Sequence, residues 1–187
     1  MEIKLQDLIQ LTGYVEDDAV VLNDHAKLIA NWVPSIVQEF YDALFAYEPA
    51  RKIFNEGERP AREETLRLWL TSLAGGSHDK SFWHQQWVVG LVHVKRHVGN
   101  SLMLSMNSRI QLLVLNKCLE ELPGPEAVRL FTAFKRTTDV ITGLIAEGYH
   151  QGYRETVEEM TGMKGGLLDR MADVAVDRLL EKARSEG

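Results

Sequence analysis

Two histidines lie one helical turn apart in the stretch WVVGLVHVKRHVGN, residues 87–100. The ring nitrogens of His93 and His97 can bind a metal ion, transfer a proton or form hydrogen bonds. Most of the residues around them are aliphatic or basic, which predicts a helix with one apolar face. Residues i and i+4 of a helix are neighbours on its surface. The chemistry of this segment therefore depends on what lies against the face that carries the two imidazoles.

On a helical wheel at about 100° per residue, His93 falls at the edge of an apolar stripe. That stripe consists of Trp87, Leu91, Val94 and Val98. Gly90 precedes His93 by one turn, and a helical side chain leans back over the preceding turn. Glycine there removes a Cβ from the space beside the imidazole, at a cost of up to about 1 kcal/mol of helix propensity. A flat ligand would justify that cost, and haem iron needs one neutral imidazole on an apolar surface.

Two other interpretations of this pair stay open on the residues alone. A histidine on an apolar face is usually a core residue with one hydrogen bond. A pair at i and i+4 can also bind zinc. However, HVKRH lacks the glutamate that follows the first histidine of a zinc-protease helix, and the single cysteine, Cys118, cannot supply a thiolate cluster. Gly90 by itself does not decide between a core histidine and a haem ligand.

The apolar residues recur with helical spacing almost throughout, and no segment alternates like a strand for long. We therefore predict an all-α fold of about seven or eight helices. Pro34 is expected in the first turn of a new helix that follows a helix from Glu16 to Trp32. The expected histidine helix runs from Phe82 to Val98. The others are expected around Leu66–Leu73 and over Ser101–Leu122, Glu126–Tyr153 and Leu167–Arg184.

The expected domain organisation is one globular domain over residues 1–160, followed by a hinge and an amphipathic C-terminal helix over residues 161–187. The chain of 187 residues is long enough for a core of its own. Its net charge of −6 does not direct any face toward nucleic acid. The N-terminus, MEIKLQDL, does not resemble a signal peptide, and no run approaches the roughly 18 apolar residues of a membrane span. With a single cysteine excluding an intrachain disulfide, we expect a cytoplasmic protein without nucleic-acid or membrane partners.

Three features, in this order, resemble the globins of the protoglobin and globin-coupled-sensor group. The segment VQEFYDALFAYEPARKIF, residues 37–54, is similar to the B helix and C turn of that group. A helix containing Leu66 and Trp69 follows, and then a loop. The histidine segment resembles the F helix of the group; its matching residues are Val89, Gly90, His93, Lys95 and Arg96. The resemblance covers about residues 16–155 and implies a globin-like fold around haem b.

The resemblance also implies roles for individual residues. His93 would be the proximal iron ligand, and Tyr41 matches the B-helix tyrosine that often hydrogen-bonds bound gas in this group. The further cofactor-binding residues that we expect are Phe40, Phe45, Phe54, Leu66, Trp69, Leu70, Val89, Gly90, His97 and Met103. Ordinary core packing explains the aromatic and aliphatic members of this set equally well. His97, Lys95, Arg96 and Arg109 are candidates for the haem propionates.

The chain departs from the group in several respects, and it has in full neither the longer segment between the F and G helices nor the longer N-terminal extension of the protoglobins proper. Leu102 and Met103 stand where the sensors commonly carry a Trp-Tyr pair, about nine residues after the proximal histidine. No histidine occurs in the helix of Leu66, so we expect an open or weakly occupied distal site on the iron.

The function expected from the resemblance is reversible binding of a diatomic gas (O₂, CO or NO), as a gas sensor or sensor domain. The alternatives are a haem enzyme that consumes NO or peroxide, and a haem-free helical interaction domain. In the sensors the G and H helices pair across a two-fold axis, which implies a homodimer here. The residues expected at that seam are Leu112, Leu113, Leu115, Ile141, Leu144 and Ile145. The C-terminal helix would connect to an output domain or a partner.

Overall fold

The computed structural model of the chain describes the backbone of residues 2–186 and the side chains of residues 4–186. These residues form nine α-helices and no strand, which confirms the all-α prediction. In chain order the helices are α1 (Glu2–Thr12), α2 (Glu16–Asp24), α3 (Ala26–Ala46), α4 (Glu48–Arg51), α5 (Arg59–Gly75), α6 (Lys80–Lys95), α7 (Asn100–Glu121), α8 (Gly124–Thr161) and α9 (Gly165–Ser185). The number exceeds the expected seven or eight, since α1 was not predicted and the short α4 was expected only as a turn.

The prediction that Pro34 begins a helix is wrong. The break falls at His25, between α2 and α3, and Pro34 lies inside α3. Proline in a helix interior removes one backbone hydrogen bond and costs about 3 kcal/mol or more. Apolar residues on both sides of it nevertheless form one continuous buried stripe; they are Ile29, Trp32, Val33, Ile36, Val37, Tyr41 and Leu44. Burial of that stripe favours a single uninterrupted helix across the proline.

The core of the globular part lies where α3, α5, α7 and α8 bury their apolar faces. The side chains of Phe134, Leu130 and Leu144 on α8 are fully buried, as is Leu73 on α5. Polar side chains in this core have partners within their own helix: the hydroxyl of Thr137, for example, donates to the carbonyl of Ala133 at 2.8 Å. The core therefore holds α3, α5, α7 and α8 in a stable arrangement from which the site residues project.

Helix α6, which carries His93, begins and ends with recognisable capping structures. The carboxylate of Asp79 accepts a hydrogen bond from the backbone N–H of Phe82 at 2.9 Å, so α6 begins at Lys80. At the other end the Val98 N–H donates to the His93 carbonyl at 2.9 Å, and the His97 N–H donates to the Val94 carbonyl at 3.1 Å. This is the hydrogen-bond pattern of a Schellman motif. It ends the helix before the expected Val98 and places His97 at a φ of +56°.

His97→Gly is expected to stabilise the protein by about 1 kcal/mol, because a side chain in the left-handed region is strained and glycine is not. Urea denaturation of the two proteins measures the difference. His97→Ala is the matched control, since alanine keeps the Cβ and its strain. Equal stabilities for the glycine and alanine variants would contradict this explanation.

A half-buried histidine, His78, connects the α1–α2 turn to the loop before α6. The Tyr14 hydroxyl lies 3.0 Å from His78 Nδ1, and His78 Nε2 lies 2.9 Å from the carbonyl of Leu73. The carbonyl can only accept, so Nε2 carries the proton and Nδ1 accepts from Tyr14. Burial lowers the pKa of His78 below its usual value of 6.5 and raises the pKa of Tyr14 to about 12. A proton on Nδ1 would require the Tyr14 hydroxyl to turn from donor to acceptor.

The free energy of unfolding is expected to fall as the pH drops below about 6.5, the ordinary pKa of histidine in the unfolded chain. The folded-state pKa of His78 is lowered, so the unfolded state binds the proton first and is favoured by acid. His93 contributes in the same direction. In denaturation measured between pH 7.5 and 5, His78→Gln should reduce this slope. An unchanged slope in His78→Gln would contradict the assignment.

The chain divides into two compact units, Met1–Tyr149 and His150–Gly187. Within the second unit Arg154 pairs with Glu158 at 3.1 Å and with Asp169 of α9 at 2.9 Å. Helix α9 has no buried residue; its exposed apolar side chains include Leu167, Met171, Val174, Val176, Leu179 and Leu180. The boundary expected at residue 160 stays a prediction. Across the part of the chain described, none of the helices combines the length and apolarity needed to span a membrane.

Candidate functional site

The first unit contains a cavity of about 400 Å³ between the helices. Most of its surface is aliphatic or aromatic, and side chains of α3, α5, α6, α7 and α8 all contribute to it. From α3 to α5 the lining residues are Phe40, Tyr41, Leu44, Ile53, Phe54, Arg62, Thr65, Leu66 and Trp69. From α6 to α8 they are Val89, Val92, His93, Arg96, Val98, Leu102, Met103, Met106, Asn107, Ile110, Ile141, Thr142 and Ile145. The cavity is suited to a large, mainly apolar ligand.

His93 lines this cavity from the last turn of α6. Burial lowers the pKa of its imidazole, which favours the neutral form that a metal ion requires. Its Nδ1 atom is buried and has no hydrogen-bond partner among the described residues. A buried polar atom without a partner costs free energy, and such atoms are uncommon in native proteins. The arrangement does not match a core histidine satisfied by one hydrogen bond.

Tyr41 lines the cavity from α3, and its hydroxyl is already engaged. It donates a hydrogen bond of 2.9 Å to the backbone carbonyl of Arg62 in α5. Burial raises the pKa of the phenol to about 12, so the proton stays on the oxygen. The ring packs edge-on against Phe40 and Phe54, with centroids 5.1 and 6.2 Å away. Tyr41 thus connects α3 to α5 beside the cavity.

Two arginines that line the cavity share one carboxylate. Glu58 lies 2.8 Å from Nη2 of Arg96 and 3.1 Å from Nε of Arg62, and its side chain is 12% exposed. The hydrogen bond from Arg96, followed by the one from the backbone N–H of Asn55, lowers the pKa of Glu58. One negative and two positive charges therefore meet here, and the excess positive charge favours an anionic group on a ligand.

Trp69 also lines the cavity, and its indole N–H donates to Gln86 Oε1 at 2.9 Å. Gln86 is buried in α6 and donates in turn to the carbonyl of Phe82 at 3.0 Å. This pair ties α5 to α6 across one side of the cavity. Gln86 was not among the expected site residues, although it lies seven residues before His93 and hence on the same face of the histidine helix.

The cavity brings together eight of the expected cofactor-binding residues. They are His93, Tyr41, Phe40, Phe54, Leu66, Trp69, Val89 and Met103. Phe45, Leu70, Gly90 and His97 do not line it. Phe45 packs outside Phe54 with centroids 5.2 Å apart and carries the guanidinium of Arg59 over its ring at 5.3 Å. Leu70 is buried in the core, and His97 is exposed at the end of α6.

The physical reason for a glycine at position 90 differs from the one that we expected. Gly90 lies against the backbone of α8, where an added Cβ would overlap the carbonyl oxygen of Ile145 and lie 2.6 Å from the amide nitrogen of Tyr149. The glycine therefore permits close approach of two helices. It does not make room for a ligand.

Several lining residues were not anticipated, above all Ile141, Thr142 and Ile145 of α8 and Asn107 of α7. Ile141 and Ile145 were expected at a dimer seam, but they are internal, as is Leu144. Their apolar periodicity is visible in the sequence. Which neighbour each side covers is decided only when α8 packs against the other helices.

Comparison with known proteins identifies the fold of the chain as globin-like. The globin domain of a globin-coupled sensor from Geobacter sulfurreducens superposes with a TM-score of 0.72. It is 18% identical in sequence, and the match covers 77% of this chain and 96% of that domain. An uncharacterised protein of Methanocaldococcus jannaschii is 30% identical over 64 residues. That segment is 34% of this chain and 34% of the relative, so the match spans about a third of that protein.

The sequence profile of the protoglobins matches residues 2–155, most of the chain. Together with the nine-helix globin-like fold, this match defines the class: the chain is a globin. More particularly, it belongs to the protoglobin family.

Proposed function

We propose that this protein is a haem b globin that binds a diatomic gas reversibly, with His93 as the proximal iron ligand. The observation that carries the proposal is the half-buried imidazole of His93, which lines an apolar cavity. Its buried Nδ1 has no partner among the described residues, and burial lowers its pKa, which favours the neutral form. Protoglobin membership supports it, since the family implies haem. His93 would hold the haem iron, which when bound would supply coordination of O₂, CO or NO.

The residues of the chain suit this cofactor. Leu66 and Val89 offer apolar surface to a flat macrocycle and exclude water from it. Arg62 and Arg96 offer cationic groups to its carboxylates. Tyr41 keeps its proton and donates a hydrogen bond to the Arg62 carbonyl. To donate a hydrogen bond to a bound gas, the Tyr41 hydroxyl would first have to give up the Arg62 carbonyl. Any contribution of Tyr41 to discrimination among gases therefore depends on reorientation of this hydroxyl.

An absorbance spectrum of the purified protein, reconstituted with hemin where necessary, tests the proposal. We expect an intense Soret band and a shift of that band when CO is added to the reduced protein. Protein that stays colourless with hemin in excess would refute haem binding and favour a haem-free helical interaction domain.

We propose further that the protein acts as a gas sensor or sensor domain in the cytoplasm. The structural similarity to the globin domain of a globin-coupled sensor supports this role. The exposed apolar residues of α9 support a connection to an output domain or partner. Slow autoxidation and negligible NO consumption are expected for a sensor, whereas rapid turnover of NO or peroxide would instead identify a haem enzyme.

A homodimer through α7 and α8 is the oligomeric state that we propose. Leu104, Leu112, Leu115 and Leu119 lie on one side of α7, and three of them are more than half exposed: Leu104 at 51%, Leu112 at 56% and Leu119 at 61%. Exposed apolar stripes of this kind commonly mark an interface.

Sedimentation velocity is expected to give the mass of two chains, each of 21.2 kDa. Leu112→Glu combined with Leu119→Glu should convert the dimer to a monomer, because two carboxylates would be desolvated in the seam of each subunit. Val20→Glu on α2, which also places a glutamate at an exposed apolar residue, is the control and should stay dimeric. A wild-type mass of one chain would refute the dimer.

A further inference from the structure

Helices α6 and α8 touch backbone to backbone at a pair of glycines. A Cβ added to Gly90 would overlap the carbonyl oxygen of Ile145 and lie 2.9 Å from the carbonyl carbon of Gly148. A Cβ added to Gly148 would overlap the carbonyl oxygen of Trp87 and lie 3.3 Å from the Cα of Gly90. Every atom met in this way is main-chain, so no side-chain rotation can relieve the overlap. Each glycine is therefore required by the other helix.

This crossing lies one turn before His93. The four residues from Gly90 to His93 belong to one continuous helix, so the separation of α6 and α8 at the crossing determines where the His93 Cα lies. Because a helical side chain leans back over the preceding turn, the imidazole projects over the turn that begins at Gly90. A shift of α6 away from α8 would move the imidazole by a similar amount.

No hydrogen bond at Nδ1 fixes the orientation of the His93 imidazole among the described residues. A metal-binding histidine usually donates its second ring nitrogen to a carbonyl or carboxylate, which fixes the orientation of the ring. Nδ1 of His93 has no such partner among the described residues. The position of the ring must therefore come from the backbone of α6. Ile145, whose carbonyl faces Gly90, also lines the cavity, so the same turn of α8 both walls the cavity and contacts α6.

We propose that the Gly90–Gly148 crossing is a positioning device for the iron ligand: it sets how deeply the His93 imidazole enters the cavity and hence the strength of its bond to haem iron. The inference rests on the proposed haem binding. In this role Gly90 and Gly148 act through His93 and do not touch the cofactor themselves.

Gly148→Ala tests the proposal with the sequence of the histidine helix unchanged. In the loaded, reduced protein the iron–histidine stretching band, measured by resonance Raman spectroscopy, should shift, and the rate of haem loss should rise roughly tenfold or more. Gly143→Ala is the matched control on α8, because its Cβ would meet only the flexible side chain of Leu8. It should lower the melting temperature and leave the band in place. Gly124→Ala, with nothing within 4 Å, should change neither.

The same substitution in a second variant, His93→Gly, distinguishes positioning of the iron ligand through α6 from general distortion of the cavity. In His93→Gly supplemented with free imidazole, the ligand is no longer attached to α6, so adding Gly148→Ala should leave the iron–imidazole band unshifted. A band that shifts equally in both backgrounds would overturn the proposal, as would an unshifted band in Gly148→Ala alone. Failure of the wild type to bind haem would instead refute the proposed function.

If Gly148→Ala does not fold, amide hydrogen exchange on the intact chain makes the same distinction. Haem added to the wild type should slow exchange at Ile145, Gly148 and Tyr149, opposite Gly90. The same addition to His93→Gly with imidazole should slow these amides less. Equal protection in the two proteins would overturn the proposal.

Discussion

Replacing His93 by alanine is expected to weaken haem binding by at least about 100-fold, since loss even of a residue that only supports a metal ligand costs roughly 10–100-fold. The remaining binding would come from apolar burial in the cavity and from the arginines at Arg62 and Arg96. The ferrous spectrum of any haem that is retained should shift, because the imidazole no longer supplies an axial ligand. Titration of the apoprotein with hemin, followed at the Soret band, measures the affinity.

The control for this prediction is His97→Ala, which removes the second histidine of the same segment. His97 is exposed and outside the cavity, so its removal should leave the affinity and the spectrum unchanged. Free imidazole should restore the wild-type spectrum to His93→Gly but have no effect on His97→Ala. Full haem content and an unchanged spectrum in His93→Ala would show that the ligand lies elsewhere, and His97 would then be the first residue to examine.

Arg96→Ala is expected to speed haem loss by roughly 10- to 150-fold, the equivalent of the 1.5–3 kcal/mol typical of a hydrogen bond to a charged group. Arg96 is the one propionate candidate from the sequence that lines the cavity. Its guanidinium can serve a second carboxylate besides Glu58, since five N–H donors are available. Transfer of haem to a scavenging protein in excess measures the rate.

Lys95→Ala is the matched control, because it removes a neighbouring positive charge that is exposed and outside the cavity. If only net charge mattered, the two variants would lose haem equally fast. Equal rates would thus contradict a specific contact at Arg96. Added salt screens exposed charges most strongly. Raising the ionic strength should therefore weaken the effect of Arg96 on the rate of haem loss less than it weakens the effect of an exposed lysine.

Local patterns in the sequence were sufficient for most of the helices, including the one that bears the site, but not for α1 or for the break between α2 and α3. The apolar periodicity of 82–98 and 101–122 depends on residues three and four apart, and the termini of α6 depend on Asp79 and on the chain around His97. These are short-range effects. The position of His93 at the edge of an apolar face follows from the same periodicity, and the resemblance to protoglobins was carried by residues within single helices.

The partners of those residues could not be predicted in this way. The Tyr41 hydroxyl meets the Arg62 carbonyl, and Glu58 meets Arg96, across separations of 21 and 38 residues. Phe45 packs against Phe54 and does not line the cavity. That outcome depended on how α3 and α4 lie against α5. Pro34 is a similar case, because a burial pattern spanning more than four turns outweighed a local preference.

Gly90 marks the limit most clearly. In the sequence, a glycine one turn before a histidine indicates that no side chain occupies the space beside the imidazole. The sequence alone therefore determined an all-α chain with one imidazole next to a space of unknown occupant. Only the tertiary structure decided that α8 fills the space beside Gly90 and that the cavity is lined by His93 but not by Gly90. The reason is that helical periodicity determines which residues share a face, whereas the packing of distant helices determines what that face meets.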